Sequence, residues 1–327
     1  MIASEHLHII QGLVHKHLAG EVSEVTEKSP GFSGSFVYMI DVVRAGEPLR
    51  CIAKFTPAEH GEDNSVSNRV YGSQISSFGA AFACLRQNNI PIPQLYAELN
   101  PQPEIPFYCQ LMEFLPGQDV HQVLRSTPRD HQPALQQFLA KHLGTIHRIT
   151  RSYDGWVDLP APHPLCWRDA FFTALHQHLN SACNHAAIAK QRSRIMQTVA
   201  YYQRQWTDPT GFVLSHLDGL QGIVDKTSTG WQFMGVIDVE DHCFTDQRFV
   251  LATFELEPEI QDVPILPDFW AVYRGMTRLD PSYEKLRPLF QLYILLDWLT
   301  GQPPEQERMI GELSQKIAAR CRPGETS

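Results

Sequence analysis

Ser215-His216-Leu217-Asp218 follows one apolar segment of the chain, and a second aspartate lies twenty residues after the first, in Val236-Ile237-Asp238-Val239-Glu240. Between them, Gly230-Trp231-Gln232-Phe233 is typical of a turn that leads into a second strand. The pattern therefore predicts two strands of one hairpin, with an aspartate at the end of each. Both carboxylates would then lie in the same cleft.

Two carboxylates placed in this way match the needs of phosphoryl transfer. One orients the acceptor hydroxyl and takes its proton, and the other holds magnesium against the phosphates. Asp218 and Asp238 are the candidates for these roles. Either motif alone occurs by chance at hairpin ends, but the order and spacing of the two together favour the functional interpretation.

The chain before this region is rich in predicted strands. Runs with many β-branched and aromatic residues, bounded by Gly, Pro and Ser, predict strands over 22–28, 36–43, 49–55, 94–98 and 107–113. One helix is predicted over 5–18, before the strands. A second is predicted over 71–88, and Pro91 and Pro93 prevent it from continuing.

After Leu115-Pro116-Gly117 the pattern changes to long amphipathic helices. We predict helices over 119–127, 132–148, 167–185 and 188–206, a short β insertion over 211–238, and further helices from 246 to 320. The fold class expected is α/β (α+β) in two lobes. Residues 1–116 would form a small sheet lobe and residues 117–327 a larger helical one.

Composition limits the classes of partner. The net charge of −9 argues against a nucleic-acid surface and is compatible with a cationic small molecule. Hydrophobic residues make up 43% of the chain, but no run approaches the ~18 apolar residues of a membrane helix. The first residues lack the pattern of a secretory signal, which favours a cytoplasmic protein. The sequence does not indicate an oligomeric state.

Cysteine and histidine patterns exclude two other classes. The seven cysteines form no CxxC pair, so we interpret them as thiols in a reducing compartment rather than as a disulfide framework. The fifteen histidines lack the ligand spacings of a structural zinc site.

On these motifs the chain resembles the aminoglycoside phosphotransferase and choline kinase group of small-molecule kinases. His216-Leu217-Asp218 resembles the catalytic loop of that group, and Ile237-Asp238 its metal motif. The resemblance implies a protein-kinase-like fold, with ATP and Mg²⁺ as cofactors. Asp218 would be the catalytic base, and Asp238 would bind the metal. Thr245-Asp246-Gln247 lies where such kinases have Gly-Asp-Pro.

Upstream segments resemble the nucleotide-binding parts of the same group. Lys54, in an apolar strand, matches the lysine that contacts the phosphates, and a buried ammonium needs an anionic partner. Residues 111–117 are similar to the hinge whose backbone meets the adenine. The loop over 31–36 would cover the phosphates with backbone N–H groups. The implied nucleotide-binding residues are Gly31, Ser33, Gly34, Ser35, Lys54, Glu113 and Leu115.

Two positions depart from the pattern of the group. Ile223 stands where a second metal ligand, Asn, is usual, and Gln221 would supply an amide oxygen in its place. The helix before Pro91 usually carries an acid that pairs with the strand lysine. Residues 70–93 contain no acid at all, so Lys54 needs another partner.

We therefore expect a phosphotransferase that moves the γ-phosphate of ATP, or of GTP, to a hydroxyl of an aminoglycoside-like molecule, an aminoalcohol or a sugar. Glu240 and Asp241 would pair with ammonium groups of such an acceptor. One alternative is a nucleotide-binding pseudokinase that acts as an interaction module. Another is a hydrolase with Ser215 as nucleophile, although Ser215 lacks a Gly-x-Ser-x-Gly elbow.

Overall fold

Residues 3–28, 35–57, 78–102, 105–158, 165–260, 263–300 and 307–321 are described by the structure, which is a computed structural model. They group into two units. The first unit draws on Met1–Asp63, Ile90–Gln118 and Ile223–Ile237, and the second on Asn64–Asn89, Asp119–Gly222 and Asp238–Ser327.

The first unit contains a five-stranded antiparallel sheet in the order β1-β2-β3-β5-β4. All five strands predicted from the first third of the sequence are confirmed, and no end is shifted by more than two residues. They are β1 (Glu21–Glu27), β2 (Phe36–Arg44), β3 (Glu47–Pro57), β4 (Leu95–Leu99) and β5 (Phe107–Glu113).

One face of this sheet packs against helix α1 (Ser4–Leu18). Side chains alternate along β3, so Cys51, Ala53 and Phe55 enter the core while Lys54 points to the other face. His6 of α1 stacks on Phe55 with ring centroids 4.4 Å apart. The apolar core of the first unit thus lies on the face opposite Lys54.

The first unit also carries a three-stranded sheet in the order β11-β10-β6. Its strands are β6 (Gln118–Asp119), β10 (Gly222–Thr227) and β11 (Gly230–Val236). Gly117, directly before β6, has φ +123°, and a Cβ atom there would lie 2.5 Å from the Val224 carbonyl oxygen. Only glycine allows the backbone to approach β10 so closely.

The second unit contains a four-stranded sheet in the order β7-β9-β12-β8. Its strands are β7 (Thr150–Arg151), β8 (Gly155–Trp156), β9 (Phe212–His216) and β12 (His242–Thr245). Asp218 follows β9, whereas Asp238 follows β11 of the three-stranded sheet. The prediction that both aspartates end strands of one hairpin is therefore wrong, because β9 pairs with β12 and β7 instead.

Most of the second unit is helical, as predicted. Residues 188–206 do not form one helix, since Lys190 and Gln191 form a turn between two helices. The helices are α2 (Phe78–Gln87), α3 (Val120–Ser126), α4 (Gln132–Ile146), α5 (Trp167–Ala182), α6 (Ala186–Ala189), α7 (Arg192–Gln205), α8 (Gln247–Ile260), α9 (Pro267–Met276), α10 (Tyr283–Thr300) and α11 (Glu307–Arg320).

Strands concentrate in the first third of the chain and helices in the rest, which confirms the mixed α/β class. None of the helices described has both the length and the apolar character needed to cross a membrane.

Candidate active site

Asp218 lies in the turn that follows the buried strand β9. The backbone N–H of Asp218 donates to Nδ1 of His216 at 3.0 Å, and the N–H of Gly219 donates to the His216 carbonyl at 3.0 Å. The ring of His216 is 2% exposed, whereas the carboxylate of Asp218 is 61% exposed. A buried imidazole thus holds the turn while the carboxylate projects into solvent.

The proton of the His216 ring follows from these bonds. A backbone N–H can only donate, so Nδ1 accepts and the neutral ring carries its proton on Nε2. Nε2 is buried and has no hydrogen-bond partner within the described part of the chain. A carboxylate oxygen of Asp241 lies 3.8 Å from it and is the nearest charge in an ion-pair arrangement. His216 therefore separates Asp218 on one ring edge from Asp241 on the other.

Asp238 begins the second carboxylate-bearing turn. It has φ 49° and ψ 49°, a left-handed conformation that is uncommon for a residue with a side chain. A short 3₁₀ turn, Val239–Asp241, follows it, and the Asp241 N–H donates to the Asp238 carbonyl at 3.1 Å. Strain of this kind is concentrated at functional sites in proteins.

The two turns are joined by the backbone. The N–H of Leu217 donates to the Asp241 carbonyl at 3.3 Å, and His242 pairs with His216 in the β9–β12 register. The structure thus brings the Asp218 turn and the Asp238 turn to the same end of the four-stranded sheet, although their preceding strands belong to different sheets.

Gly219 makes the Asp218 turn possible. It has φ +93°, and a Cβ atom there would lie 3.1 Å from Cβ and 3.3 Å from Cα of Phe254 on α8. A side chain would therefore be strained by conformation and would also press on a helix backbone. This fixes the position of the turn against α8.

A chain of hydrogen bonds supports β9 from below. His147, just after α4, bonds through Nδ1 to the Tyr273 hydroxyl at 2.6 Å and through Nε2 to Ser215 Oγ at 3.1 Å. The Ser215 hydroxyl donates to the His216 carbonyl at 3.2 Å. Burial lowers the pKa of His147 to about 3, so the ring is neutral. Ser215 is buried and engaged at both ends, which is unlike a serine nucleophile open to substrate.

His242 anchors the second turn. Its Nδ1 donates to the Val239 carbonyl at 3.1 Å. Burial lowers the pKa of His242 to about 3, and the nearby His216 ring acts in the same direction. Its ring and that of His216 are perpendicular, with centroids 5.2 Å apart. His216 and His242 are thus both buried, and each holds one of the two turns that carry Asp218 and Asp238.

His121 joins the site from α3, and the sequence did not single it out. It is 6% exposed. Burial lowers its pKa, while the carboxylates of Asp119 and Asp218 act in the opposite direction. Asp119 caps α3 by accepting the N–H groups of His121 and Gln122 at 2.8 and 3.2 Å. An aspartate at the start of a helix is a cap signal, and it is the feature of the sequence that could have pointed to this turn.

The residues predicted to bind nucleotide lie in the first unit, where they are described. Lys54 is half-buried on β3, opposite Gln110 of β5. Glu113 ends β5, and its carboxylate accepts the N–H of Gln94 at 3.0 Å. Leu115 lies against β11, since a Cβ atom at Gly235 would lie 2.9 Å from its side chain.

The predicted phosphate loop is described only in part. Gly31, Ser33 and Gly34 lie outside the described residues. Ser35 is buried, and its hydroxyl lies 3.1 Å from that of Thr56 on β3. Ser35 therefore fixes the start of β2 to β3.

The oxygen ligands predicted for a metal are carboxylate and amide groups. Gln221 is half-buried directly before β10, and Ile223 lies within that strand. No group of three or more metal-ligating side chains occurs within the part of the chain described. Mg²⁺ is usually held by only one or two carboxylates, with phosphates and water completing its shell. Asp238 with one further oxygen therefore fits that ion.

The model of the phosphotransferase enzyme family matches residues 67–289. No curated protein matches the sequence.

Solved structures share the fold at low sequence identity. A thermostable mutant of aminoglycoside phosphotransferase APH(4)-Ia superimposes with a TM-score of 0.66 at 14% identity, covering 97% of this chain and 100% of that one. Its ternary complex with ADP and hygromycin B gives a TM-score of 0.65 at 15% identity over 97% and 99%. A putative fructosamine-3-kinase from Haemophilus somnus 129PT gives 0.60 at 14% identity over 96% and 97%. These similarities confirm the kinase-like fold.

Proposed function

Because the chain belongs to the phosphotransferase enzyme family, we propose that it moves the γ-phosphate of ATP to a hydroxyl group of a small molecule. The observation that carries the proposal is the pair of backbone-linked turns that present Asp218 and Asp238 at one end of the β9–β12 pair. Phosphoryl transfer is catalysed mainly by positioning and by electrostatic stabilisation, and two such carboxylates serve both.

Asp218 is the proposed catalytic base. Its exposed carboxylate orients the acceptor hydroxyl and takes its proton as the oxygen attacks the γ-phosphorus. The bond between that phosphorus and the bridging oxygen breaks, and ADP leaves. His216 keeps the carboxylate in place through the Asp218 N–H, and Gly219 seats the turn on α8.

Asp238 and Gln221 are the residues proposed to hold Mg²⁺. Their oxygens are of the type that this ion prefers. Magnesium, when bound, would neutralise charge on the phosphate oxygens. Nucleotide binding is assigned to Lys54, Glu113, Leu115 and Ser35, together with Gly31, Ser33 and Gly34 outside the described residues.

The acceptor is proposed to be cationic. Asp241 is half-exposed beside the His216 ring, and the chain as a whole carries a net charge of −9. Carboxylates beside the attacking hydroxyl bind ammonium groups through charge-assisted hydrogen bonds. Aminoglycosides and aminoalcohols carry such groups, and one structural neighbour binds hygromycin B.

The test is a transfer screen with ATP and Mg²⁺ across aminoglycosides, aminoalcohols and sugars, followed by the near-isosteric substitution Asp218→Asn. We expect transfer to at least one acceptor and a loss of kcat of about 10²- to 10⁴-fold in the variant, since a general base is removed. Calorimetry with Mg-ATP should show unchanged nucleotide binding. Binding without transfer in the wild type would indicate a pseudokinase, and transfer unaffected by the substitution would contradict the role of Asp218.

A further inference from the structure

Gln110 is a buried amide with no hydrogen bond. It lies in the middle of β5, is 2% exposed, and neither Oε1 nor Nε2 of its side chain has a hydrogen-bond partner among the residues that the structure describes. Buried polar groups in proteins nearly always form hydrogen bonds, so two buried polar atoms without one need an explanation. An apolar residue of similar size in place of Gln110 would avoid the free-energy cost of burying an amide. Gln110 therefore points to a polar partner.

Strand register identifies the partners within reach. Gln110 is directly opposite Lys54 of β3 on one side and Glu98 of β4 on the other. Directly opposed residues share a face, with their Cβ atoms about 4.5–5.5 Å apart. The neighbours of this row along the strands, Ala53, Phe55, Cys109 and Leu111, enter the α1 core. The three polar residues thus form one row on the face away from that core.

Glu98 places an acid in the same row as Lys54, on the far side of Gln110. Burial raises the pKa of its carboxyl group. The segment 70–93, which includes α2, offers no carboxylate for Lys54, because it contains neither Asp nor Glu. A carboxylate, an amide and an ammonium group in one row can be linked by two hydrogen bonds.

We propose that Gln110 and Glu98 are positioning residues for Lys54, with the amide as a bridge. Neither bond is formed in the structure; once the Gln110 side chain turns toward the row, Oε1 would accept a hydrogen bond from the Lys54 ammonium and Nε2 would donate to the Glu98 carboxylate. The row supplies from the sheet itself the counter-charge that keeps Lys54 extended along the face on which it would meet phosphates. This inference rests on the proposed role of Lys54 in binding nucleotide.

The experiment measures the ionisation of Lys54 directly. Wild type, Glu98→Gln, Gln110→Met and the double variant are labelled with acetic anhydride across a pH series, and acetylation of Lys54 is read by peptide mass spectrometry. Loss of the carboxylate should lower the labelling midpoint by about half a unit to one unit, which makes labelling about three- to tenfold faster below the midpoint. Gln110→Met should shift the midpoint in the same direction. The double variant should add little to either single one, because the three groups act as a unit.

Glu47→Gln is the matched control, since Glu47 is an exposed acid on the same strand as Lys54. It should leave the Lys54 midpoint unchanged. If Gln110→Met fails to fold, as judged by circular dichroism, the near-isosteric Glu98→Gln decides the matter alone. A midpoint equal to that of the wild type in Glu98→Gln would overturn the inference.

A second measurement separates this inference from the proposed function. The dissociation constant for Mg-ATP should rise about five- to thirtyfold in Gln110→Met and Glu98→Gln, as expected for loss of hydrogen bonds to a charged group. A wild type that transfers phosphate to no acceptor, but whose Lys54 midpoint depends on Glu98, would contradict the function and leave the row intact. Transfer that depends on Asp218, together with a Lys54 midpoint that Glu98→Gln leaves unshifted, would support the proposed function and contradict the row.

Discussion

At the scale of single residues, the Asp218 turn depends on one glycine and one histidine. Gly219 supplies the positive φ and the space against Phe254, and His216 supplies the acceptor for the Asp218 N–H. Neither residue carries the proposed chemistry. Gly219 and His216 instead determine the position of the Asp218 carboxylate.

Gly219→Ala is expected to destabilise the protein by about 1–3 kcal/mol, because alanine is strained at this positive φ and its Cβ would press on Phe254. Transfer activity should fall with it, as the turn shifts. Urea unfolding followed by circular dichroism measures the first effect. Gly12→Ala is the control: Gly12 is exposed in α1 with open space around it, and alanine there should stabilise by about 0.5–1 kcal/mol. Equal stability and activity of Gly219→Ala and wild type would contradict this account.

His216 is expected to act through its Nδ1 acceptor. In His216→Leu the Asp218 N–H loses its partner, which should lower kcat about 10- to 100-fold, since misplaced catalytic groups lose rate steeply. In His216→Asn the amide oxygen occupies the position of Nδ1, so a larger share of kcat should remain. Steady-state kinetics with the acceptor found in the screen distinguishes the two. Equal losses of kcat in His216→Leu and His216→Asn would mean that the hydrogen bond to the Asp218 N–H does not position the carboxylate.

At the scale of elements, a buried ion pair fixes the start of α8. Arg248 is fully buried and donates to both oxygens of Asp246, the shortest contact being 2.6 Å. Asp246 also accepts the indole N–H of Trp167 on α5, and Arg248 donates to Thr207 and Ser282. The pair thus ties α8 to α5, to the segment after α7 and to the start of α10.

Asp246→Asn should destabilise the protein by about 3–5 kcal/mol, because it removes the main counter-charge of the buried Arg248 guanidinium and leaves only Asp280, at 4.0 Å. A double variant, Asp246→Asn with Arg248→Met, should recover part of the loss, since the buried guanidinium is removed as well. Denaturant unfolding measures both. Asp41→Asn is the control, because Asp41 pairs with Arg50 at 2.7 Å on the surface, and it should leave the midpoint unchanged. A double variant less stable than Asp246→Asn would argue against this explanation.

The elements also show what sequence patterns can and cannot predict. Strand β3 and helix α4 were predictable because alternation and helical spacing are local signals. The pairing of β9 with β12 was not, since nothing local to Ser215 or His216 indicates which distant strand lies beside them. Sequence patterns report on local features. The site at Asp218 was therefore expected from its motif, whereas His121 lies outside any motif and was not expected.

At the scale of the whole molecule, histidines buried as neutral rings link stability to pH. Burial lowers the pKa of His142 to about 4 and those of His147 and His242 to about 3. In the unfolded chain each ring titrates at its ordinary value of about 6.5. Between pH 6.5 and about 4, the unfolded state therefore binds protons that the folded state does not. Their contribution to stability is complete above pH 6.5 and is lost progressively as the pH falls to about 3.

The free energy of unfolding should accordingly decrease on acidification by about 1.4 kcal/mol per pH unit for each of these histidines between pH 6 and 4. His147→Gln should reduce that slope by about 1.4 kcal/mol per pH unit, whatever it costs at neutral pH through the bonds to Tyr273 and Ser215. Urea titrations at a series of pH values give the slope. Gly12→Ala, at an exposed position of α1, changes no titratable group and should leave the slope unchanged. Because the slope counts protons and not hydrogen bonds, a slope in His147→Gln equal to that of the wild type would mean that His147 is not held neutral in the folded protein.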